Sequence, residues 1–128
     1  MEAELLVLIV EPDDGRAALW ARHLEGQGAE TARAETRADA IRVLRERDVA
    51  VVVLNLGLPG EGAFAVSDYA SYARPGAKVL FVSASDMLTD GSVFRYASNA
   101  CGFLGLDTAP EDIAALAMHH AARTGREG

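Results

Sequence analysis

The sequence predicts an α/β domain, a doubly wound five-stranded parallel sheet flanked by five helices. Three observations lead there. The runs Leu5–Val10, Val49–Leu54 and Lys78–Val82 are short, almost wholly apolar and rich in β-branched residues. Without polar alternation, such runs fit strands covered on both faces, as in a parallel sheet between helix layers. Helical patterns separate them, and right-handed crossovers then follow from the chain order. Each run also stops abruptly at a polar residue: Glu11, Asn55 and Ser83. In open α/β sheets ligands bind beyond the carboxyl ends of the strands, so chemistry is expected at these positions.

The first strand is followed by Glu11-Pro12-Asp13-Asp14-Gly15 and a helix carrying Leu19, Trp20 and Leu24 on one face, stopped by Gly26 and Gly28. Asp14 is expected to cap this helix. Glu30–Ala34 reads as a weak second strand, inferred more from the alternation of elements than from its own residues. Thr36 with Asp39 marks the start of a second helix, burying Ala40, Ile41 and Leu44. The third strand ends at Asn55, and a helix through Phe64, Val66, Tyr69, Ala70 and Ala73 closes at Arg74-Pro75-Gly76. The fourth strand is followed by a loop and a short helix around Val93–Asn99, and Cys101–Leu104 forms a fifth strand. Thr108-Ala-Pro-Glu111 reads as a capping box opening a last helix with Ile113, Leu116, Ala117 and His120 on one face.

The chain of 128 residues, half of them hydrophobic, suits a single core. Residues 1–123 are read as the domain and 124–128 as a tail or the start of a linker. A lone Cys101 excludes an internal disulfide framework, and no apolar run approaches the roughly 18 residues that span a bilayer. A cytoplasmic protein without membrane attachment is expected. A net charge of −7 argues against direct nucleic-acid binding, which requires clustered Lys and Arg. Arg33, Arg37, Arg42, Arg45 and Arg47 are interleaved with Glu35, Asp39, Glu46 and Asp48, the pattern of a solvated face.

Three further signals have ordinary readings. Gly60-Glu-Gly62-Ala-Phe-Ala65 fits a G-x-G-x-x-A pattern, but it follows the third strand rather than the first and is separated from it by Leu58-Pro59. His119 and His120 are adjacent and diverge on a helix, so they do not chelate a metal as an i, i+4 pair does. Cys101, Trp20 and Tyr69 are expected as core or boundary packing.

Leu-Ile-Val-Glu11, Val-Leu-Asn55-Leu-Gly-Leu-Pro-Gly60, Val-Leu-Phe-Val-Ser83-Ala and Ala-Cys-Gly-Phe103-Leu lie in an order and spacing that cover nearly the whole chain. In these segments the sequence resembles the receiver domains of two-component response regulators, which have a flavodoxin-like fold. The resemblance implies two acidic residues after the first strand that hold Mg²⁺ and an aspartate ending the third strand that accepts a phosphoryl group. It further implies a Ser or Thr after the fourth strand and a Lys-Pro pair after the fifth. Here Glu11 matches the first acid, Pro12 stands for the second and Asn55 for the acceptor. Ser83 is retained, while Leu106-Asp107 replace Lys-Pro. Ser83 and Phe103 occupy the positions of the residues that rearrange on activation.

The chemistry of these departures is consistent. A neutral amide is a poor oxygen nucleophile, so Asn55 does not form an acyl phosphate. Mg²⁺ is held chiefly by carboxylates, and leucine makes no ion pair with a phosphoryl group. The expected function is therefore a non-enzymatic pseudo-receiver, a protein-interaction module independent of phosphorylation and without a cofactor. Its expected partners are a histidine kinase, another receiver, an attached output domain or a second copy of the chain. The resemblance points to Arg95, Tyr96, Asn99 and Asp112 as a partner face. Two alternatives stay open: phosphorylation at a rearranged acidic site, Asp13, with Glu11 and Asp13 as weak metal ligands, or a small-molecule sensor using the neutralised pocket.

Overall fold

The computed structural model describes residues 5–58, 62–84 and 99–127, with side chains through Ala121. Five parallel strands lie in the order β2-β1-β3-β4-β5: β1 Leu6–Val10, β2 Glu30–Ala34, β3 Val51–Asn55, β4 Lys78–Ser83 and β5 Ala100–Gly105. Among the described residues there are four helices: α1 Asp14–Gly26, α2 Arg37–Glu46, α3 Gly62–Ala73 and α4 Pro110–Glu127. The helix expected around Val93–Asn99 lies outside the described residues except for Asn99, which is in a turn. The last helix continues through Glu127, past the point where the sequence suggests a tail.

Strand side chains alternate between two buried layers, as the period of two requires. Leu8, Val10, Val52, Leu54, Val79 and Phe81 join Leu44 of α2 and Val66 of α3 in one core. Val7, Ile9, Val51, Val53, Leu80 and Val82 join Trp20 and Leu24 of α1 and Ile113 and Ala117 of α4 in the other. β1 and β3 are buried at every position, which is why they carry no polar alternation. β2, at the sheet edge, is buried only at Ala34, so its sequence signal is weak.

The helix ends follow from local chemistry. Thr36 caps α2, its hydroxyl accepting from the Asp39 N–H at 3.2 Å. The other end of α2 is closed from a distance: the Arg74 guanidinium donates to the Leu44 carbonyl at 2.9 Å and the Arg45 carbonyl at 3.2 Å. Past the Gln27 cap of α1 the chain turns at Gly28, whose φ of 96° is left-handed and favours glycine. α4 opens with Pro110 in its first position, and the Ala109 carbonyl accepts from Asp112 and Ile113. The cap position thus falls on Ala109 and not on Thr108, because proline is best accommodated at the first helical residue.

β5 is irregular. Val79 pairs with Ala100 and Leu80 with Gly102, which leaves Cys101 as the extra residue of a bulge. A β-carbon on Gly102 would lie 2.9 Å from Leu80 Cδ1 and 3.4 Å from Leu116 Cδ2, so glycine lets α4 pack closely here. Cys101 packs against the core shared with α1 and α4. Burial raises its thiol pKa from 9.0 to about 11, with the Lys78 charge and a backbone hydrogen bond acting in the opposite direction. An unfolded chain ionises this thiol at lower pH than the folded one. The resulting stability is present below pH 9.0 and is lost as pH rises toward 11. Denaturation at pH 8 and pH 10.5 is expected to show a larger loss for wild type than for Cys101→Ala.

A buried polar tie fixes the start of β5. Asn99, 7% exposed, accepts from the Ser67 hydroxyl and donates to the Ser67 carbonyl, both at 3.2 Å. Its position among candidate partner-face residues is therefore corrected: the side chain is engaged with α3 and does not lie on a surface.

Candidate functional site

The chain leaves β1 toward β2 on one side of the sheet and later enters β3 on the other. The crevice beyond β1 and β3 is thus the topological switch point, where such sheets bind ligands. Glu11 and Asn55 flank it, and the Glu11 carboxylate is only 1% exposed. A carboxylate buried this far requires partners, and it has three. Oε1 accepts from Asn55 Nδ2 at 2.8 Å, Oε2 accepts from the Asp13 N–H at 2.9 Å, and Arg16 Nη1 lies 3.5 Å from Oε1.

The orientation of the Asn55 amide follows from these contacts. Its nitrogen faces a carboxylate that only accepts, and its Oδ1 accepts from the Gly57 N–H at 2.7 Å. Both ends of the side chain are used, and the residue is 6% exposed. It acts as a brace between the β1 and β3 ends.

The acidic loop is arranged differently from the sequence expectation. Asp13 is the cap of α1, its Oδ2 accepting from the Arg16 N–H at 2.7 Å. Asp14, expected in that role, lies in the first turn and pairs with Arg33 Nη1 at 2.8 Å. The difference is one residue of helix start, and it turns an Asp13 oxygen toward backbone. Pro12 is exposed, and its carbonyl accepts from Arg33 Nη2 at 3.0 Å. Arg33 also donates to the Glu11 carbonyl from Nε at 3.0 Å and Nη2 at 2.8 Å. It is thus not simply part of a solvated basic run: it anchors the loop to β2.

Ser83 ends β4, is 5% exposed, and its carbonyl accepts from the Leu106 N–H at 3.0 Å. Leu106 is half-buried against the α1/α4 core, so an aliphatic side chain occupies the end of β5. Phe103 stacks on Phe81 with ring centroids 5.0 Å apart and planes 8° from parallel, as part of the core on the α2/α3 side. The structure thus places Glu11, Pro12, Asp13 and Asn55 together at β1 and β3, with Ser83 and Leu106 on the next strand ends. Asp112 is exposed on α4, and Arg95 and Tyr96 lie outside the described residues.

The sequence gives no prominence to Arg16, yet it contacts both Glu11 and Asp13. A signal was available: a cation in the first turn of a helix opposes the macrodipole, so its presence there suggests an anion close by. Among the described residues no group of three or more His, Cys, Asp or Glu side chains could hold a metal ion. Nor is any described helix long and apolar enough to cross a membrane.

The arrangement is that of the receiver fold. The chain is similar to a CheY-like response regulator receiver domain protein from Methanospirillum hungatei, with a TM-score of 0.86 and 21% identity over 98% of this chain and 100% of the other. It is equally similar to the signal receiver domain of a LuxO repressor protein from Vibrio parahaemolyticus, at 0.86 and 22% over 98% and 95%. The receiver domain of an HD domain-containing protein from Pseudomonas fluorescens follows at 0.85 and 12% over 99% and 93%. No family model matches the sequence, and no curated protein matches it.

Proposed function

We propose that the chain is a pseudo-receiver: a non-enzymatic interaction module in two-component signalling that works without phosphorylation and without a resident Mg²⁺. The observation that carries this reading is the Asn55 amide, which donates to Glu11 at 2.8 Å where a receiver resembling this one has its acceptor carboxylate. An amide engaged at both ends offers no oxygen nucleophile to phosphorus. Pro12 in place of the second acid and the core-packed Leu106 in place of lysine support the same reading. Asp13 gives little support to a rearranged acceptor, since Oδ2 serves the cap of α1.

Proposed partners are a histidine kinase, another receiver, a second copy of the chain or an output domain, the last supported by the Pseudomonas protein whose receiver belongs to an HD domain-containing chain. The partner surface lies on the β5/α4 side, with Asp112 exposed there and Arg95 and Tyr96 retained as candidates. Incubation with acetyl phosphate and Mg²⁺ followed by intact mass measurement tests the reading. Unchanged mass is expected. An acid-labile adduct on a carboxylate overturns it.

A further inference from the structure

The donor set of the β1/β3 crevice does not fit a divalent cation. Mg²⁺ demands near-octahedral oxygen ligands at about 2.1 Å, usually including one or two carboxylates. Here both oxygens of Glu11 already accept hydrogen bonds, one of them beside a guanidinium. Asp13 directs Oδ2 to the Arg16 N–H. The Glu11 and Pro12 carbonyls are occupied by Arg33.

We infer that Arg16 is the built-in counter-ion of this crevice: its guanidinium takes the electrostatic place of a divalent cation and fastens the start of α1 to the ends of β1 and β3. Three features carry the assignment. Glu11 is the buried carboxylate of the crevice, and Arg16 lies 3.5 Å from the same oxygen that Asn55 braces. Arg16 stands three residues after the Asp13 cap, where a positive charge is disfavoured by the helix and must be offset by a nearby anion. Its two ends also serve two acids, the backbone N–H binding Asp13 and the side chain facing Glu11. The guanidinium cancels the charge of the Glu11 carboxylate, which weakens the pull of the crevice on a second cation.

The inference rests on the pseudo-receiver reading and extends it to cation response. Its test is thermal unfolding with about 10 mM MgCl₂ against NaCl of matched ionic strength, together with Mn²⁺ broadening of the Gly57 amide resonance. Wild type is expected to show neither a shift in Tm nor broadening. The double variant Arg16→Met/Asn55→Asp, with the guanidinium removed and a second carboxylate supplied, is expected to gain about 5 °C and to show broadening. Asn55→Asp with Arg16 retained is expected to bind Mn²⁺ at least about tenfold more weakly than the double variant, because the guanidinium repels the ion.

Mn²⁺ uptake by wild type, or equal affinity of the single and double variants, overturns the assignment. If the double variant does not fold, the wild-type titration still decides. Mn²⁺ uptake by wild type without an acyl phosphate would reject the counter-ion role and the metal-free part of the pseudo-receiver reading, and leave its independence of phosphorylation standing. An acyl phosphate without a metal response would do the reverse.

Discussion

The variant Asn55→Asp is expected to lose about 2 kcal/mol of stability at neutral pH and still to accumulate no acyl phosphate. The substitution removes the Nδ2 donor that serves Glu11 at 2.8 Å and sets an oxygen against an oxygen at that distance. A hydrogen bond to a charged group is worth about 1.5–3 kcal/mol, and like charges in contact add to the loss. Arg16, 3.5 Å from Glu11, offsets part of it. The Gly57 N–H keeps its acceptor, so the turn after β3 is retained. Thermal unfolding should show Tm lowered by about 8 °C. Phosphorylation remains absent because Pro12 and Leu106 supply neither a metal-binding carboxylate nor a cation for the phosphoryl oxygens. Fast labelling by acetyl phosphate in this single variant would show that the site is far less dismantled than proposed.

Glu11→Ala is expected to cost more, about 3 kcal/mol, although Glu11 has no assigned catalytic role. Truncation leaves three donors without their acceptor: Asn55 Nδ2, the Asp13 N–H and the Arg16 guanidinium. The first of these is buried, so water does not fully replace the lost acceptor. Glu11→Gln keeps the shape and one acceptor oxygen, and its loss should be about half as large. Urea denaturation of both variants checks the order. Equal stability of wild type and Glu11→Ala would mean that the three contacts add nothing to the fold.

The strands were legible wherever both faces are buried. β1 and β3 carry unbroken apolar runs because helices cover them on either side, and their polar terminators, Glu11 and Asn55, are the two residues that meet at the crevice. Local chemistry also revealed the Thr36 cap and the stop at Gly28. The choice between Asp13 and Asp14 as cap was not legible, since adjacent identical side chains differ only in where the first helical turn begins. Nor was the burial of Asn99, whose partner Ser67 is distant in sequence.

The sequence by itself determined a parallel α/β sheet and a carboxyl edge with an amide at the end of β3 and no lysine after β5. Period, turn residues and side-chain type are local properties, and they survive in one dimension. Only the tertiary structure decided what that edge does with its remaining charge. Arg16 and Arg33 reach Glu11, Asp14 and the loop carbonyls across different elements, and hydrogen bonding depends on direction and distance that spacing along the chain does not encode. Asn55 thus gained its meaning from the fold: the position marks a site, while its two hydrogen bonds make it a brace.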